Sequence, residues 1–195
     1  MPRITRESLL SLEAYSRGRA EFRSRVIAHK KARAVHLGDH VTLLFEDELT
    51  IRYQVQEMLR AERIFEDEGI EDELEAYNPL VPDGTNWKAT MLIEYTDEAE
   101  RRTMLARLKG IEDRVWVEVH GHARVHAIAD EDLERENEEK TSSVHFLRFE
   151  LDSAMIAAVK NGAPLSAGID HPEYFVTLDA LGPAVATSLA SDLSG

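Results

Sequence analysis

The sequence lacks cysteine: none occurs among its 195 residues. A disulfide framework, a thiolate zinc site, an iron–sulfur cluster held by the chain's own thiolates and a cysteine nucleophile are therefore excluded. Long apolar runs are missing too, because nowhere do about 18 apolar residues follow one another, and the first residues contain no signal-peptide core. We therefore expect neither membrane association nor secretion, and a cytoplasmic location fits the composition.

The motifs that identify several common enzyme classes are absent as well. The sequence has no G-x-G-x-x-G and no G-x-x-x-x-G-K-[ST], so a known glycine-rich nucleotide-binding loop is unsupported. It has neither H-E-x-x-H nor E-x-x-H, the patterns of zinc proteases and di-iron bundles. The nearest match to a nucleophile elbow, P-L-S-A-G at residues 164–168, lacks its first glycine, so serine hydrolase chemistry is not expected.

Positive charge is scarce, and it is unevenly placed. The 23 Lys and Arg face 37 Asp and Glu, which gives a net charge of −14. Residues 1–40 carry nine basic and four acidic side chains. In contrast, residues 46–75 carry three basic and twelve acidic side chains, and residues 130–140 carry two basic and seven acidic ones. The simplest interpretation is that the basic first segment packs against the acidic ones. Nucleic-acid binding is not expected, because the surplus negative charge opposes a phosphate backbone.

Hydrophobic periodicity predicts an α+β fold. A long helix is predicted near residues 48–66, and shorter helices near residues 5–15, 20–31, 97–108 and 153–160. Strand patterns occur on both sides of Gly38-Asp39 and near residues 87–95, 114–128, 144–151 and 174–178. Because the strands arrive in hairpins and clusters, we predict an antiparallel sheet packed against several helices.

The chain is expected to form one domain, residues 1–195. A chain of about 150 to 200 residues can enclose a single hydrophobic core. Within it, a helical N-terminal part (1–80) would pack against a sheet-rich part (81–180). Residues 181–195 are rich in small side chains and are expected to form a weakly structured tail.

Three polar residues lie where apolar side chains are expected. His29 falls on the apolar stripe of its helix, Glu62 on the stripe of the long helix, and His145 on the inward face of an alternating strand. A buried carboxylate is costly unless it is paired or binds a cation. The three residues could therefore meet as ligands of an iron or zinc ion, or as an acid/base site. Alternatively, each finds its own backbone or side-chain partner.

A hairpin around HGHARVH (residues 120–126) contains three histidines, and its register decides which of them converge. A two-residue turn puts His120 and His126 on opposite faces. A three-residue loop pairs Glu118 with His126, so that Glu118, His120 and His126 share one face while the valines of both strands share the other. We favour this second register. It forms a two-histidine, one-carboxylate set suited to iron or zinc, and the alternative is a hydrated sheet face.

Two smaller polar pairs are further candidates. Asp170 and His171 precede Pro172, which is expected to fix a loop, and such a pair can act as acid and base. The alternative is turn chemistry, in which Asp170 accepts hydrogen bonds from nearby amides. Lys88 and Glu94 lie on the outward face of the strand that begins at Trp87.

Several long strings resemble one bacterial family. They are RVIAHKKAR, LGDHVTLLFED, IRYQVQEMLRAERIF, YNPLVPDGTNWKATMLIEY, IEDRVWVEV, IADEDLERENEEKTSSVHFLRFEL and GIDHPEYFV. Together they resemble the domain of unknown function 3501 over roughly residues 5–178. The resemblance implies a redox or metal-handling setting, because genes of this family often neighbour those of rubrerythrin-like and iron–sulfur heterodisulfide-reductase-like proteins. It implies no particular catalytic residues.

Two functional hypotheses follow. The first is an accessory or binding protein of a cytoplasmic redox system, whose acidic segments 46–75 and 130–140 dock a basic protein partner. The second is a metal-dependent enzyme that uses the His29, Glu62 and His145 set, or the hairpin set, to bind iron or zinc with a position open to water or dioxygen. The sequence leaves open whether the protein is an enzyme and whether it forms a homo-oligomer.

Overall fold

Six α-helices and nine strands make up the structure, a computed structural model that describes residues 3–194; residues 1, 2 and 195 lie outside that range. The helices are α1 (Leu12–Lys30), α2 (Glu48–Glu62), α3 (Asp67–Tyr77), α4 (Glu98–Arg107), α5 (Ser153–Lys160) and α6 (Pro183–Ala190). The strands are β1 (Ala34–Leu37), β2 (Val41–Glu46), β3 (Asn86–Ile93), β4 (Val115–Val119), β5 (Val125–His126), β6 (Ile128–Ala129), β7 (Val144–Glu150), β8 (Leu165–His171) and β9 (Tyr174–Leu178). Short 3-10 helices cover Arg6–Ser8, Asn78–Leu80 and Glu112–Arg114. Within residues 3–194, none of the helices combines the length and the apolarity needed to cross a membrane.

Two antiparallel sheets enclose the main core, which confirms the predicted α+β class. The first sheet has the strand order β1-β2-β3-β7-β6, and the second has the order β5-β4-β8-β9. Along β3, Trp87, Ala89, Met91 and Ile93 are buried, as their alternation predicts, and the residues between them are on the other face. The inward residues of both sheets belong to one hydrophobic cluster, so the sheets pack face to face.

A smaller cluster holds the first three helices together on the outward side of the first sheet. Ile51, Val55 and Leu59 recur every fourth residue along α2 and pack with Leu74 of α3. The N-terminal part, expected to be helical, also supplies β1 and β2, and β2 pairs with β3 in the same sheet. The two parts of the chain therefore share a sheet.

Helix α2 ends at Glu62, before the predicted end at residue 66. Arg63 adopts a left-handed backbone conformation, with φ of 57°, which stops the helix. Glu62, expected on the apolar stripe, is exposed, and so is Phe65, which lies beyond the end of the helix. Helix α3 then begins at Asp67.

Residues 181–194 are not the weakly structured tail that was expected. They contain α6, and Leu189 and Leu193 are buried in the main core. The indole Nε1 of Trp87 donates a hydrogen bond to the Leu189 carbonyl at 2.9 Å, and the fully buried Arg33 pairs with Asp192. The small side chains that suggested disorder instead allow α6 to pack beside α5.

Candidate functional site

The structure does not bring together the three polar residues predicted to meet in one site. His29, near the end of α1, contacts Asp47, with 2.5 Å between Nε2 and Oδ2. Glu62 is exposed at the end of α2. His145 is fully buried on β7 and contacts Asp130. The prediction of a joint site is corrected because each histidine finds a carboxylate of its own.

A different cluster forms around His145. Among residues 3–194, potential ligand atoms of Glu112, Asp130 and His145 lie within 4.8 Å of one another. The alternation of β7 points His145 toward the core, as predicted from the sequence, and its side chain has no solvent exposure. The cluster lies at the end of the main core where β6, β7 and the 3-10 helix after α4 come together.

Asp130 orients the imidazole. Its Oδ2 atom lies 2.6 Å from Nδ1 of His145, and its Oδ1 atom accepts a hydrogen bond from the Phe146 N–H at 2.9 Å and one from Arg135. Asp130 itself has a left-handed backbone conformation, with φ of 49°, directly after β6. Because a carboxylate accepts hydrogen bonds, Nδ1 carries a proton, and the lone pair of a neutral imidazole is then on Nε2.

Oxygen atoms face this second nitrogen. The hydroxyl of Thr141 and the carbonyl of Ser142 each lie 3.0 Å from Nε2, and Oε2 of Glu112 lies at 4.0 Å. A carbonyl oxygen has no proton to offer. The contact of Nε2 with the Ser142 carbonyl oxygen is therefore favourable only when Nε2 carries a proton or when a cation lies between the two atoms.

Glu112 is the unusual member of the cluster. Its side chain is 10% exposed, and its Oε2 atom is buried with no hydrogen-bond partner among the described residues. Burial raises the pKa of the Glu112 carboxyl, while its own backbone N–H and His145 oppose this effect. A buried carboxylate oxygen without a donor is costly, so the site favours either a protonated Glu112 or a bound cation.

The donor set fits a divalent metal in one arrangement. Two ligands of an ion bound at about 2.0–2.2 Å lie roughly 2.9 Å or more apart, so the 2.6 Å contact of Asp130 with His145 is a hydrogen bond. Asp130 would then be an orienting carboxylate behind the histidine, as is common for metal-bound imidazoles. Glu112 Oε2 and His145 Nε2, 4.0 Å apart, leave room for an ion between them, and a tetrahedral zinc would bring these two atoms to about 3.3–3.6 Å.

The acidic segment 131–142 lies beside this cluster, because its Thr141 and Ser142 contact His145, and most of the segment is irregular. The Thr141 N–H donates to the Leu105 carbonyl, and Glu136 accepts from the Gly110 N–H at 2.7 Å. Arg135 binds Asp132 with two hydrogen bonds. The segment is therefore fastened to the end of α4 and to the loop that follows it.

The hairpin of β4 and β5 has a register shifted by two residues from the favoured one. Trp116 pairs with His126, which places Glu118 opposite Arg124 and not opposite His126. The Arg124 guanidinium lies 3.3 Å from Glu118 and 3.0 Å from Asp170, and it stacks on the Trp116 ring at 3.7 Å. The valines face the core, as predicted.

The hairpin histidines therefore do not form a ligand set with Glu118 in this structure. Glu118 and His120 line a cavity of about 180 Å³ on the outward face of the second sheet, together with Arg124. His126 does not line that cavity, and it is exposed. The carboxylate of the predicted set is paired instead with Arg124.

The remaining polar candidates have separate structural partners. His171 and Asp170 end strand β8, and they are not in a loop. His171 is buried, its Nε2 lies 3.0 Å from the Lys109 carbonyl, and its Nδ1 accepts from the Glu173 N–H. A neutral imidazole satisfies both contacts, so both ring nitrogens of His171 have partners within the fold.

Lys88 and Glu94 are separated along β3 and its continuation. The hydroxyl of Thr42 donates to Glu94 at 2.9 Å. Lys88 is half-buried and donates to the Pro79 carbonyl. They do not form an ion pair.

Sequence reasoning missed two members of the observed cluster, Glu112 and Asp130. Asp130 lies at the start of a strongly acidic run, where a single buried carboxylate has no distinguishing pattern. Glu112 begins the short 3-10 helix after α4, and no local sequence pattern marks it as buried. Only His145 carried a signal, because it interrupts an alternating apolar strand.

These features define a two-sheet α+β protein with a buried Glu–Asp–His cluster. The family model described as protein of unknown function (DUF3501) matches residues 3–193, and the chain belongs to this family. A crystal structure described as a novel protein of unknown function from Burkholderia pseudomallei is 61% identical to it. The alignment of the two structures covers 99% of this chain and 100% of the other chain, with a TM-score of 0.95. The comparison with curated proteins gives no match.

Proposed function

We propose that this protein is a cytoplasmic accessory protein that binds a divalent metal ion, iron or zinc, at Glu112 and His145. The observation that supports the metal most strongly is the buried Oε2 atom of Glu112, which has no hydrogen-bond partner among the described residues and faces the His145 imidazole. A cation at this point would satisfy the carboxylate and Nε2 together. Nitrogen and oxygen ligands suit both zinc and ferrous iron.

In this proposal Asp130 orients His145 and does not itself bind the metal. It accepts the Nδ1 proton of His145 and so directs the lone pair of Nε2 toward Glu112. Carboxylates in this position typically strengthen metal binding by about 10–100-fold. Asp130 is held by the backbone N–H of Phe146 and by Arg135, so the orientation of the imidazole is fixed before any metal arrives.

The burial of the cluster favours storage or transfer of the metal over catalysis. The side chains of His145, Asp130 and Glu112 are 0%, 9% and 10% exposed. A metal-dependent enzyme, the alternative function, needs a coordination position that is open to water and substrate. We therefore favour the accessory role.

A protein partner from a redox or metal-handling system would use the acidic surface. The segment 131–142, which contacts His145 through Thr141 and Ser142, carries exposed carboxylates at Glu134, Glu138 and Glu139. A negative surface favours association with a basic partner and makes it sensitive to salt. The genomic setting implied by the family resemblance points to rubrerythrin-like and iron–sulfur proteins. Capture of the tagged products of neighbouring genes in moderate salt supports this role, and no retention of any of them contradicts it.

The metal is tested on protein prepared without an affinity tag. The chain is incubated with zinc, or anaerobically with ferrous iron, and then desalted, and its metal content is measured by elemental analysis. We expect about one equivalent per chain. Retention of less than about a tenth of an equivalent of either metal would overturn the proposal.

Four variants locate the metal. Glu112→Gln keeps the shape of the side chain and removes its charge, and His145→Gln removes the imidazole, so both should lose the metal. His120→Ala and His29→Ala should retain it, because His120 is exposed on the hairpin and His29 is bound to Asp47. Loss of metal in His29→Ala would instead support the set predicted from the sequence. Full retention in Glu112→Gln would show that Glu112 is a protonated acid and not a ligand.

A further inference from the structure

A cleft of about 530 Å³ opens between the first sheet and helices α2 and α3. It lies on the opposite face of β7 from the metal cluster, because Phe146 and Arg148 point outward where His145 points inward. The cleft is therefore separate from the proposed metal site. Its volume is within the range of about 300–1,000 Å³ that small-molecule sites usually have.

The walls of the cleft are largely apolar. Met58 comes from α2, Tyr77 from the end of α3, Leu80 from the following 3-10 helix and Phe146 from β7. All four side chains are half-buried, so each offers apolar surface that the rest of the protein does not cover. An apolar ligand body would bury this surface at a gain of about 25 cal/mol per Å².

Lys88 supplies a positive charge in the cleft. Its ammonium group donates to the Pro79 carbonyl, and no carboxylate of residues 3–194 lies within ion-pair distance of it. An ammonium has three N–H donors, so two remain for a ligand. Burial lowers the pKa of Lys88, and an anion bound beside it would compensate for the lost hydration.

The other charges in the cleft restrict the ligand. Arg148 binds Glu131 with two hydrogen bonds and Glu150 with a third, so most of its donors are used. Asp132 is paired with Arg135, and Glu73 and Glu75 of α3 add two more carboxylates to the lining. These negative groups oppose a doubly charged anion such as a phosphate monoester. Among anions, one with a single negative charge beside Lys88 meets less repulsion than one with two.

We propose that this cleft binds a small monocarboxylic acid with an aliphatic or aromatic body. The carboxylate contacts the Lys88 ammonium, and the body lies against Met58, Tyr77, Leu80 and Phe146. The proposal is independent of the metal, because it depends on the outward face of the sheet and on none of the cluster residues.

The test uses three probes of one shape and different charge on the full chain. They are 4-phenylbutyrate, 4-phenylbutan-1-ol and 4-phenylbutylamine, and their affinities are measured by isothermal titration calorimetry. The acid should bind at least about tenfold more tightly than the alcohol and the amine, which corresponds to one favourable ion pair. Equal affinities, or tighter binding of the amine, would overturn the proposal.

Substitution of Lys88 provides the matched comparison. Lys88→Met should lower the affinity for the acid to that for the alcohol, and leave the alcohol unchanged. Lys140→Met removes an exposed lysine outside the cleft and should change neither affinity. An unchanged affinity for the acid in Lys88→Met would also overturn the proposal.

A second measurement needs no variant and so does not depend on how Lys88→Met folds. Native protein is treated briefly with acetic anhydride, and acetylation is mapped by mass spectrometry. The acid should protect Lys88 and leave Lys140 reactive, whereas the alcohol should protect neither. Failure of the acid to protect Lys88 at concentrations where calorimetry shows binding would place the ligand elsewhere.

Discussion

Arg33 and Asp192 form an ion pair that is closed off from solvent, with 2.5 Å between Nη2 and Oδ2 and side-chain exposures of 0% and 2%. The pair joins the end of the chain to the turn between α1 and β1. The other guanidinium donors reach the carbonyls of Phe45 and Glu46 and the hydroxyl of Ser188. The C-terminal segment is therefore ordered because it supplies the counter-charge of a buried arginine.

Removal of this counter-charge should destabilise the fold strongly. Asp192→Ala removes the carboxylate nearest to the buried Arg33 and leaves Asp47, 3.4 Å away, as a more distant counter-charge. Loss of one partner of a buried ion pair typically costs about 3–5 kcal/mol. Urea unfolding at neutral pH measures the effect. Asp179→Ala removes an exposed carboxylate and should change the free energy of unfolding by less than about 0.5 kcal/mol. Equal stabilities of the two variants would show that the pair is not formed.

The same carboxyl should make stability depend on pH in a defined direction. Burial raises the pKa of Asp192 from 3.8 to about 6, although Arg33 opposes the shift. Between these values the folded protein holds a proton that the unfolded chain has released, so this contribution to stability declines as pH rises from about 4 to about 6.

Asp192→Asn cannot titrate and isolates this contribution. We expect the stability of the natural protein relative to Asp192→Asn to fall by roughly 1–3 kcal/mol over that interval and to be constant above it. Urea unfolding of both proteins at several pH values provides the comparison. A difference that is independent of pH would mean that Asp192 has an ordinary pKa in the fold.

Alanine substitutions at Gly168 and at Gly18 should have opposite effects on stability, because only Gly168 is closely packed. A Cβ atom at position 168 would collide with the Trp116 ring and lie 2.5 Å from the Val176 carbonyl oxygen, so Gly168→Ala should cost about 1–3 kcal/mol. A Cβ atom at Gly18, within α1, meets nothing within 4 Å. Gly18→Ala should therefore stabilise the protein by about 0.5–1 kcal/mol. Thermal unfolding measures both, and a tolerated Gly168→Ala would contradict this packing of the second sheet.

Metal affinity should fall as the solution becomes more acidic. A metal requires an ionised Glu112 and an Nε2 atom without a proton, and burial raises the pKa of Glu112. We expect zinc affinity, measured by competition with a chromophoric chelator, to be lower at pH 6 than at pH 8 by at least about tenfold. An affinity unchanged over this interval would exclude these two groups as ligands.

The sequence was sufficient for the fold class but not for all element boundaries. Strand β3 was predictable because strict alternation buries Trp87, Ala89, Met91 and Ile93. The end of α2 was not, since it depends on the left-handed conformation of Arg63, a residue type that rarely adopts it. The order of the C-terminal residues depends on Arg33, which lies in a distant part of the chain.

In the candidate site, too, one residue was predictable from the sequence pattern and its partners were not. His145 was identified because a polar residue on an inward strand position is visible in the pattern. Its partners come from the 3-10 helix after α4 and from the end of β6, and no local pattern marks Glu112 or Asp130. Which carboxylate reaches a buried histidine is determined by tertiary packing, and His29 with Asp47 is a second example.

Anomalous diffraction from crystals of the zinc-loaded protein tests the central claim most directly. Data collected on both sides of the zinc absorption edge locate the ion without reference to activity. The account predicts an anomalous peak between Glu112 Oε2 and His145 Nε2. A peak only at exposed histidines such as His120 or His126, or no peak in a protein crystallised with zinc, would contradict it.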